Sequence, residues 1–333
     1  MSVLYGWPEN EHASKKAVDG RNEATVMNLR MAKVCYAGWK QGCSALSRWI
    51  TVVKTRAYEF RFGVSVRRQN ADMRRTIQNH GHRVHSLIRE SHPGIYSILI
   101  PARAAQLYIG ECLSSLLNQK IPGGLELEVL VGIDGCEKTR DTLAQYIAEL
   151  PADQARKVRS FYFDGHYGPY IIRNTLLWAS RGEQVQFVDA DDVIVPDMLL
   201  PLCSFALSCR ACTPAYILRP VGITTDEHLV PIEKHKPFQM VGQLGLSKAA
   251  LKSLGGFAPW RCKGDTDFLR RASALGVPVY SWPQIAYLHR RHGTQLIQGP
   301  LTGMKSNLRA YYNGLIDMRI ARGNLHEVPV MLH

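Results

Sequence analysis

Three carboxylates lie close together after an apolar segment near the middle of the chain. Asp189, Asp191 and Asp192 fall within four residues, directly after the strand-like run 184–188. Like charges this close repel one another unless solvent, hydrogen-bond donors or a cation compensate them. A hard divalent cation such as Mg²⁺ binds one or two carboxylates together with phosphate oxygens of a substrate. The spacing therefore predicts a metal and phosphate site. The alternative is a solvated strand end whose carboxylate caps the helix that begins near Pro196.

Apolar and amphipathic segments alternate through the region that leads to these carboxylates. Short β-branched or aromatic runs predict strands, and longer runs with apolar residues every three or four positions predict helices. This alternation favours an α/β fold with a mainly parallel sheet flanked by helices. Ligands of such sheets bind beyond the carboxyl ends of the strands, so chemistry is expected at that edge. The predicted strands are 96–100, 127–133, 158–163 and 184–188, and the predicted helices are 108–118, 139–150 and 170–180.

Beyond residue 200 the periodicity is weaker. Proline or glycine bounds most of the segments there, which indicates shorter elements. We predict three regions along the chain: a basic α-helical N-terminal region at 1–93, an α/β domain at 94–300, and a C-terminal helix and tail at 301–333. The predicted elements of the second half are a strand at 215–221, helices at 247–254, 266–275 and 305–322, and extended segments at 278–282 and 285–289.

The positive charge of the chain is concentrated near its N-terminus. The first 93 residues contain 16 Lys and Arg against 7 Asp and Glu, whereas the whole chain of 333 residues contains 41 against 28. Two proline-free stretches in this part, 22–54 and 66–89, have helical apolar spacing. A basic helical region favours an anionic partner, such as nucleic acid or acidic lipid headgroups. A merely solvated basic segment is the alternative.

Nothing in the sequence indicates a secreted or membrane-spanning protein. No stretch approaches the roughly 20 apolar residues of a membrane helix, and the first residues lack the apolar core of a signal peptide. We therefore expect a cytoplasmic protein, with peripheral contact to an anionic membrane as a further option. The eight cysteines are expected to be reduced, and the Cys209 and Cys212 pair lacks two further ligands for zinc.

Seven short motifs in a fixed order then identify a family resemblance. Together they resemble family 2 glycosyltransferases of the GT-A fold, over about residues 95–295. Each motif alone has low specificity, and the series of seven in order is specific. The motifs are Ser97-Ile98-Leu99-Ile100-Pro101-Ala102 with its following helix, Val131-Gly132-Ile133-Asp134-Gly135, Arg173-Asn174-Thr175, Asp189-Ala190-Asp191-Asp192, Gly255-Gly256-Phe257, Gly264-Asp265-Thr266-Asp267 and His289-Arg290-Arg291-His292-Gly293.

The resemblance implies a metal-dependent donor site at the acidic strand end. Asp191 is similar to the metal ligand of the family's D-x-D(D) element, and Asp192 would be an additional or water-mediated ligand. Asp189 would contact the ribose or the sugar of the donor. His292 is similar to the histidine that completes the metal or diphosphate site, with His289 as the alternative. The implied cofactor is Mn²⁺ or Mg²⁺.

The resemblance also implies how the donor nucleotide is held. Asp134 is similar to the aspartate that hydrogen-bonds the base, which is usually uracil, so a UDP-sugar is the expected donor. Arg173 would contact the donor phosphate or sugar, whereas a structural ion pair is its alternative. Pro101, Ala102 and Ala190 would complete the donor-binding residues.

Asp265 is the expected catalytic residue. By resemblance it matches an aspartate in the family's Glu-Asp-x-Asp segment, and a carboxylate there can take the proton of an attacking hydroxyl in an inverting displacement. Gly264 stands where the family has the preceding glutamate, and Asp267 would be a supporting residue at the start of the helix. The run 255–257 is expected to shape the acceptor side of the cleft.

Several functions remain open at this point. The expected acceptor is a glycan or a lipid-linked saccharide. An alternative is a modified base in DNA, for which Arg67, Arg68, Arg74 and Arg75 would supply the phosphate contacts. A third option is a nucleotide-binding module without turnover. A nucleotidyltransferase is disfavoured because Pro101 and Ala102 are not followed by a glycine-rich phosphate loop.

Overall fold

One mixed β-sheet forms the centre of the part of the chain that the structure describes. In the computed structural model this part comprises residues 91–293, 295–299 and 301–327. The predicted N-terminal helical region at 1–93 falls almost wholly outside it. The strands are β1 (His92–Ala102), β2 (Glu126–Asp134), β3 (Val158–Phe163), β4 (Gly182–Phe187), β5 (Val193–Ile194), β6 (Ile217–Thr225), β7 (Phe238–Gln239), β8 (Gly245–Ser247) and β9 (Val279–Arg290).

Helices cover both faces of this sheet, so the predicted α/β class is confirmed. One face packs against α1, α2 and α5, and the opposite face packs against α4, α6 and α7. None of the described helices is long and apolar enough to cross a membrane. The helices are α1 (Ile109–Leu117), α2 (Glu137–Glu149), α3 (Ala152–Ala155), α4 (Pro169–Ala179), α5 (Leu199–Cys212), α6 (Lys248–Leu254), α7 (Gly264–Ala274) and α8 (Asn307–Ala321), with a 3₁₀ turn at Leu296–Gln298.

The first half of the sheet is parallel. The sheet order is β3-β2-β1-β4-β8-β6-β9-β5, with β7 beside β6, and the ladders joining β3, β2, β1 and β4 are all parallel. Parallel strands linked by crossover helices bring their carboxyl ends to one edge. The acidic residues that follow β2 and β4 therefore lie at the same edge.

Strand β1 continues through Pro101, where the sequence predicted its end. Pro101 pairs in register with Gly132 of β2, and the strand ends only at Ala102. Proline lacks the backbone N–H that a ladder bond needs. The pairing of β1 with β4 ends at Leu99, before Pro101, so the missing N–H of Pro101 costs no hydrogen bond to β4. The extension carries Pro101 and Ala102 to the edge of the sheet.

The second half of the sheet is largely antiparallel. β8 pairs antiparallel with β4 and with β6, while β9 runs parallel to β6 and antiparallel to β5. The two extended segments predicted around Pro283 form the single strand β9, whose register against β6 shifts near Val221. The pairing with β6 keeps β9 continuous across Pro283, although a proline inside an extended run predicts a break.

The C-terminal helix α8 forms a separate small core. It packs against the segment 258–262, and the rings of Trp260 and Tyr312 stack with centroids 4.6 Å apart. α8 also contacts α7, which begins at Gly264. The predicted boundaries at 93/94 and 300/301 stay predictions.

Candidate active site

A cavity of about 500 Å³ opens at the carboxyl ends of the parallel strands. Residues from both halves of the sheet line it, together with the first turns of α4, α7 and α8. All but one of the predicted site residues are in this lining, and the exception is Asp192. The predicted residues found there are Pro101, Ala102, Asp134, Arg173, Asp189, Ala190, Asp191, Asp265 and His292, and the alternative His289 is there as well.

Asp191 faces the cavity in contact with a histidine and an amide. Its Oδ2 lies 2.9 Å from Nε2 of His292 and accepts a hydrogen bond from Nε2 of Gln295 at 3.2 Å. Burial alone would raise the pKa of Asp191, but the hydrogen bonds from these two residues lower it. The carboxylate therefore stays ionised and is available to a cation.

His292 is held in place by an aromatic ring and a buried arginine. The Tyr108 ring lies 4.5 Å from the His292 ring, and the guanidinium of Arg290 lies 4.8 Å from the Tyr108 ring. Arg290 in turn donates to the backbone carbonyl of Asp191 at 2.9 Å and pairs with Glu111. Sequence reasoning missed this arrangement, because nothing in the local pattern relates Tyr108 to residues that follow it by more than 180 positions.

Asp192 points into the protein and is fully buried. Its carboxylate accepts the backbone N–H of Arg290 at 2.9 Å, lies 3.0 Å from Nδ1 of His289, and accepts from Gln243. Burial raises the pKa of Asp192 to about 7. Burial by itself would lower the pKa of His289, but the hydrogen bond and charge of Asp192 raise it to about 9. Asp192 thus connects the acidic strand end to β9 through hydrogen bonds. Its role as a further metal ligand stays a prediction.

Asp189 forms an ion pair with Arg173. Nη2 of Arg173 donates to Oδ1 of Asp189 at 2.6 Å, and the arginine is almost fully buried. Gly242 lies against this pair, because a Cβ added there would lie 3.1 Å from Oδ2 of Asp189. The arginine is therefore fixed at the cavity wall beside the acidic strand end.

The carboxylate of Asp134 organises the loop that leads into α4. Its two oxygens accept the backbone N–H groups of Tyr167 at 2.7 Å and Gly168 at 3.0 Å. Its own carbonyl accepts a hydrogen bond from Nη1 of Arg103 at 2.6 Å. Asp134 is buried and still borders the cavity. A carboxylate oxygen has more than one acceptor position, so these bonds leave acceptor capacity for a ligand.

Asp265 lies in the first turn of α7, half-buried at the cavity wall. Its Oδ1 accepts the backbone N–H of Thr266 at 2.6 Å. The preceding Gly264 lies flat against a ring, because a Cβ added to it would lie 2.6 Å from Cγ of Tyr170. This contact explains why no larger residue precedes Asp265. Burial, and then the negative charge of Asp265, raise the pKa of Tyr170 well above its ordinary value.

Two residues near α7 make contacts that the sequence analysis did not predict, and their expected roles stay predictions. Asp267 is fully buried in an ion pair with Nε of Arg271 at 2.8 Å, and it does not border the cavity. Gly255 makes its close approach to the C-terminal segment, since a Cβ there would lie 1.7 Å from the carbonyl oxygen of Glu327. The Asp267 ion pair lies within one turn of α7, whereas the approach of Glu327 to Gly255 joins segments that are distant in the chain.

A divalent cation at this site would need oxygen atoms of a substrate to complete its coordination. Within the described ranges, no group of three or more His, Cys, Asp and Glu side chains is arranged to hold an ion. Asp191 and His292 are adjacent and supply one oxygen and one nitrogen ligand. Mg²⁺ and similar ions usually take one or two protein carboxylates and complete their coordination with phosphate oxygens and water. The donor set therefore fits an ion that enters together with a diphosphate.

Comparisons with known proteins find similarity to one enzyme family. Residues 97–244 match the model of the family described as Glycosyl transferase family 2. The putative glycosyltransferase EpsH of Bacillus subtilis (strain 168) is 27% identical over 144 residues, which cover 42% of this chain and 40% of that protein. The poly(ribitol-phosphate) β-N-acetylglucosaminyltransferase TarS of Staphylococcus aureus (strain Mu50 / ATCC 700699) is 31% identical over 119 residues, covering 33% of this chain and 18% of TarS.

The crystal structure of S. aureus TarS 1–349 in complex with UDP-GlcNAc has a TM-score of 0.48 and 19% sequence identity, and the match covers 60% of this chain and 59% of that one. This chain spans less than half of the length of the two curated relatives named above.

Proposed function

We propose that this protein transfers a sugar from a nucleotide-diphosphate donor to an acceptor hydroxyl, because residues 97–244 match the model of Glycosyl transferase family 2. The expected donor is a UDP-sugar, and the expected outcome is inversion at the anomeric carbon. The observation that carries the proposal is the convergence of Asp191, His292 and Asp265 on one cavity. A nucleotide-binding module without turnover would not need a carboxylate opposite the diphosphate site.

The donor would lie along the carboxyl ends of the parallel strands. Asp134 would accept a hydrogen bond from the base, and the buried Arg173 would add a fixed positive charge beside the phosphates or the sugar. Asp191 and His292 would hold Mn²⁺ or Mg²⁺, whose charge would stabilise the diphosphate as it leaves. The Asp192 and His289 pair would hold β9 and the acidic strand end in register.

Asp265 would act as the general base. Its carboxylate would take the proton of the acceptor hydroxyl while the hydroxyl oxygen forms a bond to the anomeric carbon. The bond between that carbon and the diphosphate oxygen would break on the opposite face, so the configuration would invert. The contact of Tyr170 with Gly264 would keep the first turn of α7 in the correct position.

A glycan or a lipid-linked saccharide is the proposed acceptor class. The relative TarS is named for transfer to poly(ribitol-phosphate), which shows that the match includes a polymer-modifying enzyme. The DNA alternative depends on basic residues in 1–93, which lie outside the described ranges, and no described feature favours it. A cytoplasmic location with peripheral contact to an anionic membrane also stays a prediction.

Calorimetric titration with UDP and GDP tests the donor site. Each nucleotide is titrated into the full chain with Mn²⁺ or with chelator, and the same is done with Asp191→Ala. We expect UDP to bind in a manner that needs both the metal and Asp191. The control is Asp153→Ala, which removes an exposed carboxylate of α3 that does not border the cavity.

Turnover separates an enzyme from a binding module. Release of UDP from a UDP-sugar is measured with Mn²⁺ in the full chain and in Asp265→Asn. Slow donor hydrolysis that increases with acceptor supports the proposal. Nucleotide binding that is indifferent to metal and to Asp191, or binding without any turnover across acceptors, would contradict it.

A further inference from the structure

Two basic side chains line the cavity together with Asp265. Lys263 immediately precedes α7 and has a positive φ of 69°, and Arg309 lies in the first turn of α8. Both are half-buried and both line the cavity. Cys262, which precedes Lys263, and Leu308, which precedes Arg309, belong to one hydrophobic cluster, so the two basic residues border the same part of the cavity wall.

These two cations lack carboxylate partners among the described residues. Neither Lys263 nor Arg309 forms an ion pair there, and Arg309 uses its Nε to donate to the carbonyl of Thr302 at 2.6 Å. Elsewhere in the cavity lining, Arg173 pairs with Asp189, His292 contacts Asp191, and Arg103 donates to the backbone carbonyl of Asp134. Among the described residues, Asp265 is the carboxylate nearest to Lys263 in the chain.

Uncompensated charge in a half-buried site is unfavourable unless a ligand supplies the opposite charge. The first turns of α7 and α8 add to the positive potential, because the N-terminus of a helix carries partial positive charge. The arginine fork and the compact ammonium group are both common ligands of phosphate. This end of the cavity is therefore suited to an anion that contains several acceptor oxygens.

We propose that the acceptor carries a phosphate group near its attacking hydroxyl, and that Lys263 and Arg309 bind this phosphate. The inference rests on the proposed function, which assigns the donor diphosphate to Asp191 and His292 and so leaves Lys263 and Arg309 to the acceptor. Binding the phosphate beside Asp265 would bring the neighbouring hydroxyl to the carboxylate that takes its proton. The acceptor class is then a phosphorylated polyol or saccharide.

Three small probes of similar size test the proposal by calorimetry. The full chain is first saturated with UDP and Mn²⁺, so that the donor phosphate site is filled. Glycerol 3-phosphate, glycerate and glycerol are then titrated separately. We expect glycerol 3-phosphate to bind in a salt-dependent manner, glycerate to bind at least tenfold more weakly, and glycerol to show no binding.

Variants of the two basic residues provide the second arm. Lys263→Gln and Arg309→Gln are expected to weaken glycerol 3-phosphate binding at least tenfold while leaving the affinity for UDP unchanged. Arg309→Lys should restore part of the binding, since it keeps the charge. The matched control is Lys305→Gln, which removes an exposed positive charge that does not line the cavity and should change nothing.

The outcomes separate the inference from the proposed function. Failure of the full chain to bind UDP or GDP would contradict the proposed function. Loss of UDP binding in the Lys263 and Arg309 variants would assign the pair to the donor and overturn the inference, as would a UDP-loaded chain that does not distinguish glycerol 3-phosphate from glycerol. Equal binding of glycerate would overturn the choice of phosphate. Thermal unfolding of each variant confirms that it is folded.

Discussion

The two sides of the cavity are built in different ways. The side that we propose for the donor, called the donor side below, comes from parallel strands that deliver Ala102, Asp134 and Asp189 to one edge, and it falls within the residues that match the family model. The side that we propose for the acceptor, called the acceptor side below, comes from α7 and α8, beyond that match, and it is held by a buried ion pair and by the C-terminal segment. The strand and helix order of the parallel sheet positions the donor side, whereas contacts of individual side chains position the acceptor side.

The difference indicates which substitutions each side tolerates. Substitutions that preserve the apolar pattern of a strand should leave the donor side in place, because burial of that pattern sets the register of the strand. On the acceptor side, one arginine contacts several backbone carbonyls at once. Arg271 donates to the carbonyls of Leu254, Gly256 and Leu325 and pairs with Asp267, and its side chain is fully buried. The acceptor side should therefore be the more sensitive to single changes.

The largest expected effect is on chemistry at Asp265. Asp265→Asn should lower the rate of acceptor-dependent UDP release about 1,000-fold, because general-base catalysis contributes roughly 10² to 10⁴. The affinity for UDP should not change, since Asp265 belongs to the acceptor side. The measurement is initial-rate kinetics together with UDP titration. Equal loss of UDP binding would remove the separation between the two sides.

A buried ion pair of α7 should decide the stability of the acceptor side. Arg271→Met should reduce the free energy of unfolding by about 3 to 5 kcal/mol, because it leaves the carboxylate of Asp267 buried without its main partner. Urea denaturation measures the change. The neighbouring Arg270→Met breaks an exposed pair with Asp317 and should cost at most about 1 kcal/mol. Similar values for the two variants would contradict this account of α7.

A buried lysine between α4 and α6, away from the cavity lining, should give a pH-dependent stability. Lys248 is buried, and its Nζ donates to the carbonyls of Leu177 and Ser180 at the end of α4. Burial lowers the pKa of Lys248 from 10.5 to about 8. Below pH 8 both the folded and the unfolded chain are protonated there. Between about pH 8 and pH 10.5 only the unfolded chain keeps the proton, so stability should rise with pH across this window.

That rise should amount to at most about 3 kcal/mol, at 1.36 kcal/mol for each unit of pKa difference. The free energy of unfolding is measured by urea denaturation at several pH values in the native chain and in Lys248→Met. The variant should lack this contribution. If the two chains show the same pH dependence, Lys248 does not carry the effect.

The smallest expected effect concerns the ring behind Asp265. Tyr170→Phe keeps the ring that packs on Gly264 and removes only the hydroxyl. Burial, and then the negative charge of Asp265, raise the pKa of that hydroxyl. We expect kcat to fall about fivefold, which corresponds to roughly one hydrogen bond, with KM for the donor unchanged. Gly264→Ala serves as the comparison, because a Cβ there must displace the ring. A change in donor KM with constant kcat would assign Tyr170 to the donor side.

Sequence by itself determined the framework and the candidate residues of the donor side. The alternation of strands and helices follows from hydrophobic periodicity, which is a local property that neighbouring residues encode. The carboxylates at the strand ends are equally visible, because charged residues that follow an apolar run mark the edge of a parallel sheet. Asp134, Asp189 and Asp191 could therefore be predicted to lie together. Their roles remain predictions that the titrations above test.

Only the tertiary structure decided the direction of each side chain and the composition of the acceptor side. Asp192 is next to Asp191 in the chain, yet it faces the interior because β9 supplies it with a histidine and a backbone N–H. The approach of Glu327 to Gly255 joins segments that are distant in the chain, and the shared cavity brings Lys263 and Arg309 from distant segments into one lining. Such contacts depend on the packing of whole elements, and no local pattern in the sequence encodes them.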